Sequence, residues 1–221
     1  MGRRFLITGT DTAVGKTTVG CALAYALRAR GMRVGVMKPA ETDCKEAEGT
    51  LEPADARALA AAASCAMPID LICPYRYRSP LAPAAAAEID RIAPPDLGEI
   101  KRCFDKIASE SDTVLVEGAG GLTVPITWDT DYADLALRLN LELIVVIGNR
   151  LGCLNAAVLT LKYAAARGLN VAGYILCDVE PAESIASQTN EDSLRRLTSV
   201  RYLGRMRHRE PLSKQIVEQL L

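Results

Sequence analysis

The chain has 221 residues, 49% hydrophobic and 24% charged, with 26 Lys+Arg against 27 Asp+Glu and a formal net charge of −1. This balance suits a single α/β domain over residues 1–221 with a sizeable core, and excludes the basic footprint of a nucleic-acid binder. Apolar runs such as Leu143–Gly148 are too short to cross a bilayer. No membrane partner or signal peptide is therefore expected, and seven scattered cysteines without a Cys-x-x-Cys pair predict free thiols in a reducing cytoplasm.

A first strand is predicted at Arg4–Thr8, and a helix at Lys16–Arg30 closed by Gly31. Between them lies Gly9-Thr10-Asp11-Thr12-Ala13-Val14-Gly15-Lys16-Thr17, a complete G-x-x-x-x-G-K-T phosphate-binding loop in its strand–loop–helix setting. Its backbone N–H groups and the helix start predict a phosphate cradle over Ala13, Val14, Gly15, Lys16, Thr17 and Thr18. Lys16 is placed to reach the outer phosphates, and the Thr17 hydroxyl to hold Mg²⁺.

The next strand, Arg33–Lys38, delivers Lys38 on the ligand side of the sheet, ahead of Pro39-Ala40-Glu41-Thr42. Taken alone, Lys38 reads as a solvated strand-end lysine; near the phosphate loop it reads as a second cation for a transferring phosphoryl group. A helix is predicted over Ala54–Ala63. Spacing leaves Asp55 open between a carboxylate favourable to the helix dipole and a metal ligand. Cys73–Pro83 and Pro94-Pro95 read as loops, and Leu97–Glu110 as a helix. The strand Thr113–Glu117 then ends in an acidic residue before Gly118-Ala119-Gly120-Gly121, the usual second holder of Mg²⁺ in a phosphate-loop protein.

A helix at Ala133–Asn140 and a strand at Glu142–Gly148 lead into Arg150-Leu151-Gly152-Cys153-Leu154-Asn155, whose free N–H groups open the helix Asn155–Arg167 and form a natural carboxylate site. A strand at Val171–Cys177, another near Val200–Leu203 and a final helix over Pro211–Leu221 complete the pattern. Continuous apolar strands alternating with helices predict a doubly wound α/β fold of the phosphate-loop NTPase type, its mostly parallel sheet covered by helices on both faces. With His208 the only histidine, catalysis must rest on Lys, carboxylates, hydroxyls, backbone N–H groups and a metal ion.

The stretches Thr8–Thr17 (TGTDTAVGKT), Lys38–Thr42 (KPAET), Asp55, Val116–Gly121 (VEGAGG), Arg150–Asn155 (RLGCLN) and Cys177–Val179 (CDV) resemble, in order, the dethiobiotin synthetase family. The resemblance spans roughly residues 3 to 209. It implies an ATP- and Mg²⁺-dependent ligase that joins CO₂ (from bicarbonate) to 7,8-diaminononanoate through a carbamate and a carbamic–phosphoric anhydride. It further implies Lys38, Lys16 and Thr12 as catalytic groups and Thr17, Asp55 and Glu117 as metal ligands. Gly118, Ala119 and Gly120 would border the nucleotide. Thr12, Lys38 and Thr42 would contact the substrate, whose far carboxylate would meet Gly152, Cys153, Leu154 and Asn155 of the neighbouring subunit in a homodimer. Cys177, Asp178, Arg207, His208 and Arg209 would border the base.

The chain departs from the family pattern at Ala13, where many members carry Glu; at Cys177, where better-known members read Asn; and at Arg207-His208-Arg209, which replaces a Pro-aromatic-type segment. A thiol offers a base weaker hydrogen bonds than an amide, so relaxed base selectivity is expected. Partitioning-type ATPases carry a second lysine five residues before the loop lysine, a position held here by Asp11. The chain is too short for the glutaminase domain of a cobyrinic-acid-type amidoligase, and Gly148-Asn149-Arg150-Leu151 is not the Asn-Lys-x-Asp of a GTPase.

Overall fold

The computed structural model describes residues 2–221. The chain opens with β1 (Arg3–Gly9), α1 (Lys16–Arg28) and β2 (Val34–Met37), followed by the short strands β3 (Ala40–Glu41), β4 (Lys45–Ala47) and β5 (Thr50–Glu52). Next come α2 (Ala54–Ala63), α3 (Ile69–Ile72), β6 (Tyr75–Arg76), α4 (Pro83–Asp90) and α5 (Leu97–Ser109). β7 (Thr113–Gly121), β8 (Pro125–Thr127), β9 (Thr130–Asp131), α6 (Tyr132–Leu139) and β10 (Glu142–Gly148) follow. The chain closes with α7 (Cys153–Ala166), β11 (Val171–Cys177), α8 (Ile185–Leu197), β12 (Tyr202–Met206) and α9 (Lys214–Glu218).

Six of these strands form one parallel sheet in the order β12-β11-β10-β1-β7-β2. β1 sits inside it with β7 on one side and β10 on the other. The chain reverses its winding direction there, and the carboxyl end of β1 is the topological switch point at which such sheets bind ligands.

Both faces of the sheet are covered, as the unbroken apolar strands require. Along β1, Leu6 faces a core built with Phe104, Ile107 and Leu135, whereas Phe5 and Ile7 face Leu23, Leu27 and Leu59. β10 divides the same way, Leu143, Val145 and Ile147 against Ile144 and Val146. Among the described residues no helix is long and apolar enough to cross a membrane, and the seven cysteines are free thiols.

The structure differs from the sequence expectation in particular elements. α4 lies in a stretch with no predicted helix, although Pro83 stands at its first position and an alanine run follows. α8 also escaped prediction because it is mostly polar; Ser184 and Ser187 close a capping box at its start, with Ser where Glu or Gln is the recognisable signal. The last sheet strand runs two residues later than Val200 and continues through Gly204-Arg205. The Arg205 charge that interrupts the apolar run is met by Asp178 at 2.9 Å and Glu183 at 3.0 Å. The final helix shrinks to Lys214–Glu218.

Leu23 is fully buried between α1 and the sheet. Leu23→Ala should lower the unfolding free energy by about 3 kcal/mol through lost burial and a residual cavity, read as a lower urea midpoint at unchanged m-value.

Candidate active site

A cleft of ≈ 730 Å³ opens where the residues following β1 and β2 meet the second half of β7. The phosphate loop forms one wall. Its entry is pinned to the sheet by the Thr10 N–H donating to the Val146 carbonyl at 3.1 Å. Gly15 has φ 93°, and a Cβ there would lie 2.5 Å from Cys177 Sγ, so both its conformation and its neighbour demand glycine. Asp11 is drawn outward to Arg150 at 2.9 Å, while its carbonyl accepts from Lys16 Nζ at 3.0 Å. Burial and the nearby Lys38 charge pull the Lys16 pKa below the ordinary lysine range.

Facing the loop, Lys38 follows β2 directly. Its backbone N–H donates to the Ile72 carbonyl at 2.8 Å. Its side chain, only 5% exposed, donates from Nζ to Glu117 Oε1 at 2.5 Å and to Asp55 Oδ2 at 2.9 Å. Burial opposes the charge on this ammonium, but Glu117 and Asp55 outweigh it and hold the pKa above the ordinary lysine range. Burial likewise pushes the Asp55 carboxyl up, yet the Lys38 ammonium and the Thr17 hydroxyl keep it below the ordinary carboxylate range. Thr17 Oγ1 donates to Glu117 Oε1 at 2.8 Å. Thr17, Asp55 and Glu117, drawn from three elements, thus converge on one corner of the cleft.

That corner suits Mg²⁺. Among the described residues no three His, Cys, Asp or Glu side chains form a metal cage. Two carboxylates and a hydroxyl are nonetheless an appropriate set for an ion that keeps several waters and shares substrate phosphates. Glu117 Oε2 is buried and unpartnered among the described residues, the open acceptor of a carboxylate with coordinating capacity left.

Thr12, Ala13, Thr18, Thr42, Ala119 and Gly120 also line the cleft. Val14 and Gly118 do not: the Val14 side chain is 1% exposed in the core, and a Cβ on Gly118 would meet the Tyr132 ring at 3.2 Å. Cys177, Asp178, Arg207, His208 and Arg209 gather on the other side of the phosphate loop, around a second hollow of ≈ 290 Å³ that Ala13, Gly15 and Thr18 also border. The Cys177 thiol is pushed up to about 11 by burial and by Asp178. Gly152, Cys153, Leu154 and Asn155 begin α7 outside both hollows.

Two features had escaped the sequence reading. Glu41 lines the cleft although 4% exposed, its carboxylate directed at the start of α2. Asn149 is buried and saturated: it donates to Asp178 Oδ1 at 2.7 Å and to the Ser187 carbonyl at 3.0 Å, and accepts from Asn190 at 2.9 Å. Locating α8, which supplies Ser187 and Asn190, would have exposed this network.

The parallel sheet, the glycine-dependent loop at its switch point and the Lys–carboxylate corner define a phosphate-loop nucleotide-binding α/β protein. The chain matches the AAA domain family over residues 3–215. In fold it is similar to a ParA family ATPase from Chlorobium tepidum TLS (TM-score 0.60, 17% identity, 100% of this chain and 99% of that one). It is also similar to the septum site-determining protein MinD complexed with Mg-ADP from Pyrococcus horikoshii OT3 (TM-score 0.58, 18% identity, 99% of this chain and 86% of that one). In sequence it is 40% identical over 211 residues to the ATP-dependent dethiobiotin synthetase BioD of Anaeromyxobacter sp. (strain K), covering 96% of this chain and 88% of that one. It is 39% identical over 206 residues to the same-named protein of Aromatoleum aromaticum, covering 93% and 91%. The chain belongs to the dethiobiotin synthetase family and is an enzyme of that type, an ATP-dependent ligase in biotin synthesis.

Because the Asp55 pKa is depressed, its pairing with Lys38 stabilises the fold above the ordinary carboxylate range and is lost as pH falls through the folded value. The wild type should therefore melt higher than Asp55→Asn at pH 7, with the difference closing below about pH 4. The gap should stay within about 1 kcal/mol, since the Asp55 side chain is 42% exposed.

Proposed function

We propose that this chain closes the cyclic urea of dethiobiotin from 7,8-diaminononanoate and CO₂, with ATP converted to ADP and phosphate. The observation that carries the proposal is the pair of lysines in one cleft, Lys16 on the phosphate loop and Lys38 at the end of β2, the second fixed by two carboxylates. A carbamate and a γ-phosphate are both anions, and bringing them within reacting distance requires concentrated, pre-oriented positive charge.

In the first step one amine adds to CO₂ and loses a proton, giving a carbamate. The carbamate oxygen then attacks the γ-phosphorus; the new O–P bond forms as the bond to the ADP oxygen breaks, and a carbamic–phosphoric anhydride results. The second amine attacks the carbonyl carbon, loses its proton and expels phosphate. Lys16 holds the outer phosphates from the loop side. Lys38 neutralises the carbamate and the transferring phosphoryl group, while Thr12 and Thr42 orient the amine or carbamate. Thr17, Asp55 and Glu117 would hold Mg²⁺, which when bound adds charge neutralisation at the phosphates.

The working unit is a homodimer in the cytoplasm. In it the start of α7 at Gly152–Asn155 receives the substrate's far carboxylate in the neighbouring subunit's cleft. The support is that this helix start lies outside its own chain's cleft and is flanked by Leu151 at 86% and Leu159 at 59% exposure. Its free N–H groups are a ready anion site.

The base occupies the hollow at Cys177 and Arg207–Arg209. Asp178 accepts there from Asn149 and Arg205, and Asn149 is itself saturated. The Asp178 carboxylate is thus committed to Asn149 and Arg205, the Cys177 thiol is a weak hydrogen-bonding partner, and selectivity among bases is relaxed.

Purified protein with MgATP and bicarbonate should release ADP only when 7,8-diaminononanoate is added; diamine-independent turnover alone would remove the assignment. Lys38→Ala should lower kcat by about 10²–10³-fold while the protein stays folded, and near-full activity would exclude the charge-neutralising role. Initial rates with ATP, CTP, GTP and UTP at saturating diamine should fall within a narrow range. An ATP preference of about a hundredfold or more would mark a hydrogen-bonding base pocket instead.

A further inference from the structure

We infer that Glu41 is a positioning residue: it caps α2 from a separate strand and so fixes where Asp55 stands. The inference rests on Asp55 being a metal ligand.

The first N–H groups of a helix have no intrahelical acceptor, and Ser, Thr, Asp or Asn at the N-cap usually supplies one. α2 starts after Pro53, whose ring has no acceptor. Glu41 supplies the missing acceptors from outside the helix, Oε1 taking the Asp55 N–H at 2.8 Å and Oε2 the Ala56 N–H at 2.9 Å. Its negative charge also lies at the positive end of the helix dipole. Both oxygens are occupied by backbone donors, so Glu41 acts on the site through α2.

The capping residue is itself rigid. It is 4% exposed. Its strand β3 pairs in parallel with β6 through Ala40↔Tyr75 and Glu41↔Arg76, and its carbonyl accepts from the Tyr77 N–H at 2.9 Å. Only two residues, Pro39 and Ala40, separate it from Lys38. A single short segment therefore positions both the ammonium that pairs with the Asp55 carboxylate and the acceptors that hold the Asp55 backbone.

Asp55 needs that second restraint. Its side chain is 42% exposed, and the Lys38 ammonium it pairs with is shared with Glu117. Mg²⁺ tolerates little departure from octahedral geometry at short distances, so slack in the first turn of α2 passes directly into metal affinity.

The test compares wild type, Glu41→Ala, Glu41→Gln and Asp55→Asn in two measurements: Mn²⁺ affinity of the ADP complex by electron paramagnetic resonance, and hydrogen exchange of the amides at 54–57. Glu41→Ala should weaken Mn²⁺ at least about tenfold, the usual scale for removing the support of a metal ligand. It should deprotect the amides of Asp55 and Ala56 while leaving those of α1, and metal-free ADP binding, unchanged. Glu41→Gln keeps one acceptor oxygen and should fall between; it carries the test alone if the alanine variant does not fold. Unchanged Mn²⁺ affinity in Glu41→Ala beside weakened affinity in Asp55→Asn overturns the inference, as does retained protection of the two amides. If Asp55→Asn leaves Mn²⁺ affinity unchanged, the metal assignment of Asp55 fails and the inference falls with it, while the exchange data still show whether Glu41 caps α2.

Discussion

A buried ammonium must be neutralised where it stands, and Lys38 is neutralised by two carboxylates that the chain delivers from different directions. Glu117 arrives midway along β7 and Asp55 in the first turn of α2, while Lys38 directly follows β2. The ion pair therefore fixes the relative placement of three elements as well as the charge in the cleft. Only the Lys38–Glu117 half is buried on both sides, and removing one partner from such a pair typically costs about 3–5 kcal/mol, because the other charge is left stranded in a poor solvent. The contact thus ties the docking of β2, β7 and α2 to the pairing of a single buried charge.

The same corner explains how separated polar residues become one chemical device. Thr17 follows the loop lysine directly, so its hydroxyl reaches Glu117 only because β1 and β7 are neighbours in the sheet. Lys16 and Lys38 come from consecutive βα units, yet β7 is inserted between their strands. The crossover opens the crevice at the carboxyl edge of the sheet where the cleft lies.

Much of this was legible in the sequence because its signals are local. The phosphate loop declares itself by spacing, the strands by unbroken apolar runs, and the acidic strand end by the glycines after it. What was not legible depends on long-range contacts. Asp55 could not be told from an ordinary helix-start carboxylate until Lys38 was seen beside it, seventeen positions away in sequence. Glu41 was visible only as a letter in a short motif, since its partners are backbone N–H groups fourteen and fifteen positions on. Helix α8 was missed because its contribution is polar: Ser187 and Asn190 bond Asn149, so little apolar periodicity was required of it.

The position of β1 has a consequence for synthesis. Its sheet neighbours begin at Thr113 and Glu142, and the loop after it is pinned to Val146. β1 is thus translated long before either of its partners. At ordinary elongation rates it waits roughly 5–20 s for β7 alone, an apolar segment with both edges unpaired. The Gly9–Thr17 loop acquires its pinned shape only after the chain through Val146 has been made. Nucleotide binding is therefore a late event in the life of the nascent chain, and one that reports that the sheet has closed around its centre.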